Sequence, residues 1–265
     1  MLLWGAFWGC LCLLLCLGRL RQAPRLLGKA ALGCALRMSL MVAPTWYWWA
    51  KLLGLKPQIE WLIPLCPPGF SLLWLSVVVY GLQWVTPVEV GLRSPQAGSG
   101  QVVGVVVAAV AATMVLNAYI MRQHFFMPEQ SEQLFLATLP GLVEEVFYRG
   151  VLLGLLGRVF ARRLSLPGTY TSWGGVVSVV LFALAHGLKS QAALMALRPA
   201  NNLHVSLQGW YYWLPVWRGS VGDQLYYLAL GALFLWVRER TGSVWAAVGT
   251  HCLMNSSLLL GSRLG

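Results

Sequence analysis

Three charged residues sit inside one apolar run, and this placement constrains the fold more than any other feature of the chain. The run extends from about Leu134 to Leu156, long enough to cross a bilayer, and carries Glu144, Glu145 and Arg149. Charges at such depth are costly, so they face a bundle interior or a water-filled cavity and mark function. On a helix, Glu145 and Arg149 are four residues apart, share a face and stand in ion-pairing order. Glu144 is rotated about 100° from Glu145 and points elsewhere. One acid is then neutralised within its own helix, and the other is left available.

Apolar runs of similar length recur along all 265 residues, of which 58% are hydrophobic and 10% charged. That pattern predicts an all-α fold, a polytopic transmembrane bundle of about eight helices. The 19 Lys+Arg outnumber the 8 Asp+Glu, a net charge of +11. These bases cluster between the hydrophobic runs, which points to membrane lipids as partners and away from nucleic acid. The 14 Trp suit interfacial belts. Cys10, Cys12, Cys16, Cys34, Cys66 and Cys252 form no paired or metal-binding spacing and read as small packing residues.

The expected spans are about 1–18, 30–50, 61–85, 102–121, 134–156, 173–187, 224–237 and 243–260. The first has no base before it and Arg19, Arg21, Arg25 and Lys29 after it, the reverse of a signal peptide, so it reads as uncleaved. Arg37 and Pro44 weaken the second, and Pro64, Pro67 and Pro68 interrupt the start of the third. Residues 189–219 read as interfacial. The second run is either a span or an interfacial segment; if it spans, the basic clusters at 19–29, 93, 158–163 and 238–240 fall on one side, which the positive-inside rule makes cytoplasmic, with both termini outside, and Lys51, Lys56 and Arg122 fall on the other. The protein is expected to be a multi-pass protein of the cell inner or plasma membrane.

Two further spans carry polar groups. Phe182 and His186 are one turn apart near the end of the sixth, and His251 and Asn255 share a face of the last. A glutamate or histidine that accepts a proton from water, with histidine and asparagine donors for a carbonyl oxyanion, is what amide hydrolysis requires.

Glu-Glu-x-x-x-Arg at 144–149, Phe-x-x-x-His at 182–186 and His-x-x-x-Asn at 251–255 occur in that order. The chain therefore resembles the CAAX-processing and bacteriocin-immunity (CPBP, or Abi) family of intramembrane proteases, over roughly residues 130 to 260. The resemblance implies an eight-helix bundle with a water-filled site opening toward the membrane. Residues 1–125 would supply N-terminal helices and 126–265 the protease core, in one integrated membrane domain. It implies that Glu144 activates water with help from His186, that His251 and Asn255 stabilise the oxyanion, and that Glu145 and Arg149 form a supporting ion pair. It also implies an endopeptidase acting on a peptide or a lipidated or membrane protein, with a catalytic water and no cofactor.

Each residue has a plainer reading. Glu145 and Arg149 could clamp their helix, His186 could bond a backbone carbonyl, and Asn255 could bridge helices. Phe147 and Phe182 read as packing, Asp223 and Glu239 as solvated helix ends, His124 and His204 as surface residues. A zinc version would draw Glu144, His186 and His251 onto a divalent metal from three separate helices. A proton-coupled transporter would keep the same polar residues as a relay, but no internal repeat is visible. A non-catalytic scaffold or immunity protein is the remaining alternative.

Overall fold

The computed structural model describes residues 2–40, 66–96, 100–120, 130–190, 215–217 and 220–264. These are mostly helical, in keeping with the all-α class. α1 (Leu2–Leu15) turns through a 3₁₀ segment, Leu17–Arg19, into α2 (Pro24–Leu40). The two form an antiparallel hairpin so close that a Cβ on Gly5 would strike Ser39 and Ala35. Trp4, Trp8, Cys12, Leu27, Ala30 and Cys34 fill its buried seam. The cysteines there are free thiols and pack as small apolar groups.

α3 (Cys66–Ser76) passes into π-helical turns at Val77–Gly81. Pro67 and Pro68 open this helix instead of breaking it, because the first turn needs no backbone donors. The single turn α4 (Pro87–Val90) is held by a capping box between Thr86 and Glu89. After α5 (Gly100–Ile120), α6 (Gln130–Glu145) continues through a π-helical stretch, Val146–Leu152, into α7 (Leu153–Gly157). The expected 134–156 helix is therefore present but changes its winding immediately after Glu145. A small antiparallel hairpin follows, β1 (Leu164–Leu166) with β2 (Thr169–Thr171), where only a basic turn was expected.

Ser172 caps α8 (Trp173–Gly187) by accepting from Gly175 N at 3.3 Å. β3 (Leu188–Ser190) pairs with β4 (Pro215–Trp217). A Ser220–Asp223 capping box starts α9 (Val221–Thr241), which leads through Gly242 into α10 (Val244–Leu264). α10 lies against α5, α6 and α9, and α9 lies against α8. Phe147, Leu152, Leu155, Leu156, Leu181, Phe182, Phe234 and Met254 are fully buried where these helices meet.

Among the described residues, no helix is both long enough and apolar enough to cross a membrane. The expected runs are nonetheless present as helices: α5 has 21 residues and no charged residue, α8 covers 173–187, α9 extends beyond the expected 224–237, and α10 runs past the end of the expected 243–260. α1 and α8 have 14 and 15 residues, against the roughly 20 that a bilayer requires. α9 and α10 are longer, at 21 residues each, but carry Asp223, Gln224 and Arg238 in one and His251, Asn255 and serines in the other. Residues 41–65, including Pro44, Lys51, Lys56 and Pro64, lie outside the described residues. So do 121–129 with Arg122 and His124, and 191–214 with His204, the latter range being most of the interfacial segment.

The basic clusters do gather at one end of the bundle. Arg158 Nε donates to Glu89 Oε1 at 2.7 Å, and Arg238 Nη2 donates to Glu89 O at 3.0 Å. Arg93 Nε donates to Gly242 O at 2.9 Å, and Arg162 pairs with Glu239 at 2.7 Å. Trp173 Nε1 donates to Leu15 O at 3.3 Å, which brings the end of α1 beside the start of α8. Glu239 accordingly departs from the solvated helix end that was expected: it is largely buried, and Thr171 Oγ1 donates to it at 3.0 Å.

Candidate active site

The site is built where α6, α8, α9 and α10 converge. Glu145 ends α6 and Arg149 follows within the π-helical stretch, both with fully buried side chains. Arg149 Nη1 donates to Glu145 Oε1 at 3.2 Å, as the four-residue spacing anticipated. Arg149 Nη2 donates to the Gly231 carbonyl of α9 at 2.9 Å, and its guanidinium lies 4.4 Å from the Phe182 ring centroid. A Cβ on Gly231 would come within 3.2 Å of Arg149 Nη2 and of Phe182, so a side chain there would crowd the contact. π-helical turns inside α-helices concentrate at functional sites.

The same Glu145 oxygen accepts from His251 Nδ1 of α10 at 2.8 Å. The sequence reading gave Glu145 to Arg149 alone; the structure shows that it also ties α6 to α10. Gly141, one turn earlier, permits this approach, since a Cβ there would lie 3.0 Å from Cys252 Sγ and 3.3 Å from His251 Cβ. The His251 ring stacks on Phe234 at 4.6 Å. With Nδ1–H committed to Glu145, Nε2 is the nitrogen His251 offers to other groups.

Glu144 and His186 form a second, more open pair. His186 Nδ1 donates to the Phe182 carbonyl at 2.9 Å, which directs Nε2 toward Glu144 Oε2, 3.7 Å away. Both side chains are partly exposed, 14% for Glu144 and 22% for His186, unlike the sealed Glu145. Their separation is longer than a direct hydrogen bond and short enough for one water to join them. Phe182 is the hub: its ring lies 4.5 Å from His186 and 6.0 Å from His251. Asn255 is one turn beyond His251 on α10 and is half-buried.

Chemically, the arrangement divides two adjacent acids between two duties. Glu145 is neutralised by Arg149 and orients His251, whereas Glu144 and His186, both partly exposed, set a carboxylate and an imidazole nitrogen opposite each other. Among the described residues, no three His, Cys, Asp or Glu side chains cluster so as to hold a metal ion.

Sequence reasoning passed over α9, which supplies much of the frame. Tyr227 stacks on His186 at 4.2 Å, Phe234 stacks on His251, and Gly231 receives Arg149. Gln224, in the amide orientation that satisfies both of its groups, donates to Ala183 O at 3.1 Å and accepts from Gly187 N at 3.3 Å. The signal was there in the spacing: residues 224, 227, 231 and 234 fall at intervals of three and four, one helix face.

Residues 131–257, somewhat under half of the chain, match the family model described as Type II CAAX prenyl endopeptidase Rce1-like. This agrees with the resemblance carried by the three sequence motifs, and all six candidate residues fall inside the matched segment. No curated protein and no solved structure matches the chain.

Proposed function

We propose, from the match of residues 131–257 to the Rce1-like type II CAAX prenyl endopeptidase family model, that this protein is an intramembrane endopeptidase. Glu144 and His186 hold a water between them, and Glu144 takes its proton as the oxygen attacks the scissile carbonyl. His251 and Asn255 donate to the oxyanion that forms, His251 through Nε2. Glu144 then returns the proton to the departing amine. Glu145 and Arg149 keep His251 in place. The observation that carries this reading is the Glu144–His186 pair, partly open and 3.7 Å apart, beside the sealed Glu145–Arg149–His251 cluster.

The proposal places the protein in a cell membrane, as one integrated unit in which residues 1–125 add helices to the core at 126–265. Outward-facing Leu3, Leu14, Val103, Val107, Val115 and Leu253 support it, since so much exposed apolar surface needs an apolar surround. A bundle holding helices as short as α1 and α8 would thin the bilayer around it. Its substrates are peptides or proteins brought to the membrane, lipidated C-termini foremost.

The test is cleavage of a synthetic prenylated peptide by the purified protein in vesicles, with Glu144→Gln as control and with and without chelator. Cleavage that survives chelator and disappears in Glu144→Gln is expected. A Glu144→Gln variant as active as the unaltered protein would overturn the assignment. Activity abolished by chelator and restored by zinc would replace the mechanism with a metal one.

A further inference from the structure

We propose that Gln224 and Tyr227, on one face of α9, are positioning residues that act through His186: they fix the last turn of α8 and the plane of its imidazole opposite Glu144. The inference rests on the endopeptidase reading, and it concerns two residues that none of the three sequence motifs contains.

α8 ends one residue beyond His186, at Gly187. The last carbonyls of a helix have no intrahelical partner, and its final turn frays readily. In an unbroken α-helix, Gly187 N–H would bond directly to Ala183 O. Gln224 sets its side-chain amide across that same donor and acceptor. In the orientation that satisfies both of its groups, it donates to Ala183 O at 3.1 Å and accepts from Gly187 N at 3.3 Å. Gln224 is 8% exposed, and a Cβ on Gly187 would run into its amide. A buried amide is costly without such bonds, so the two contacts hold Gln224 as firmly as it holds the turn. Residues 183 and 187 flank His186, and a side chain of α9 therefore governs the turn that carries it.

Tyr227 is three residues further along α9 and shares the face of Gln224. Its ring stacks on the imidazole at 4.2 Å with 25° between the planes, and the Phe182 ring lies 4.5 Å away, tilted by 50°. Nδ1 is bonded to the Phe182 carbonyl at 2.9 Å. The helix turn, the ring plane and Nδ1 are thus each held by a separate contact, and together they aim Nε2 at Glu144 Oε2, 3.7 Å away. α9 is itself anchored on both sides of the two residues. The Ser220–Asp223 capping box starts it directly before Gln224, and Arg149 Nη2 bonds to Gly231 O one turn beyond Tyr227. The gain is geometric: a misplacement of about 1 Å in a reacting pair can cost about a hundredfold in rate.

The experiment makes Gln224→Ala, Tyr227→Ala and Tyr227→Phe in the full chain, each alone and combined with His186→Ala, and follows cleavage of a prenylated peptide in vesicles. Gln224→Ala and Tyr227→Ala should each lower kcat by about ten- to a hundredfold with KM little changed. Tyr227→Phe keeps the ring and should recover the rate lost in Tyr227→Ala. In the His186→Ala background neither change should lower the residual rate further, because the group they position is gone. Losses that multiply in that background overturn the proposal, as does a Tyr227→Phe variant as slow as Tyr227→Ala. A second readout needs no cleavage: nitrogen NMR of the protein carrying isotope-labelled histidine, with the His186 signals assigned by their loss in His186→Ala. They should report a proton held on Nδ1 in the unaltered protein and mixed tautomers in Gln224→Ala; an unchanged tautomer overturns the proposal. If Gln224→Ala does not fold, Gln224→Met keeps the buried volume without the two bonds and carries the same expectations. If the unaltered protein cleaves nothing, the endopeptidase reading fails, and the tautomer measurement still decides whether Gln224 positions His186.

Discussion

His251 Nδ1 donates to Glu145 Oε1 at 2.8 Å, and that same oxygen accepts from Arg149 Nη1 at 3.2 Å. One buried carboxylate oxygen therefore joins the π-helical stretch after α6 to α10 and fixes which nitrogen His251 shows to the site. Its neighbour Glu144 is left outside this bond set, and the predictions separate the two acids.

Glu145→Gln should be chiefly a stability variant. It leaves the fully buried Arg149 without its carboxylate, a loss on the order of 3–5 kcal/mol. Thermal or denaturant unfolding in detergent measures this. A Glu145→Gln protein as stable as Glu144→Gln would show that the buried Glu145–Arg149 pair does not stabilise the fold.

Glu144→Gln should remain folded while hydrolysis falls by roughly 10²–10⁴. His186→Ala should fall in the same direction and, if the two activate one water, the double variant should be little worse than either single. Single-turnover cleavage of a prenylated peptide provides the comparison, and multiplicative losses would argue against a shared water.

Asn255→Ala should lower kcat by about 10²–10³ with KM little changed, since an oxyanion donor acts in the transition state. A silent Asn255→Ala, together with activity lost on chelation, would favour metal chemistry at His251 instead.

Gly141→Val should act through packing. Its added carbons would meet Cys252 Sγ and His251 Cβ, pushing α10 away from α6 at the height of the Glu145–His251 bond. Overpacking of this kind costs about 1–3 kcal/mol. Activity should fall further than stability alone explains, and a variant with native kcat would show that the close approach is not needed.

At the polar end, the Arg158 guanidinium hydrogen-bonded to Glu89 holds its carboxyl at about 2, below the ordinary 4.5, with Thr86 assisting. A depressed acid stabilises the fold above its ordinary value and loses that contribution as pH falls through the folded one. The stability gap between the unaltered protein and Glu89→Gln should therefore be full above about pH 5 and close between 4.5 and about 2. Unfolding followed across that range checks it, and a gap independent of pH would remove Arg158 as the cause.

Much of this molecule is legible without coordinates. The Glu145–Arg149 pair follows from a four-residue spacing, and so does the bond from His186 back to the Phe182 carbonyl. The two basic-rich turns at 158–163 and 238–240 end up side by side, as their shared side of the bundle requires. These are local consequences of helix period and charge placement.

What the chain by itself determined was the helical class, the order of its polar residues along the helices, and which of them share a face, because these depend on periods of a few residues. Tertiary structure alone decided that Glu145 answers to His251 as well as Arg149, that Tyr227 and Phe234 brace the two imidazoles, and that Arg37 is buried. It also changed the winding of the expected 134–156 helix directly after Glu145, which no apolar count registers. The physical reason is range. A buried charge is stabilised by whichever opposite charge or dipole the packing brings within a few ångströms, and for Glu145 and His251 that partner lies 106 residues away in sequence.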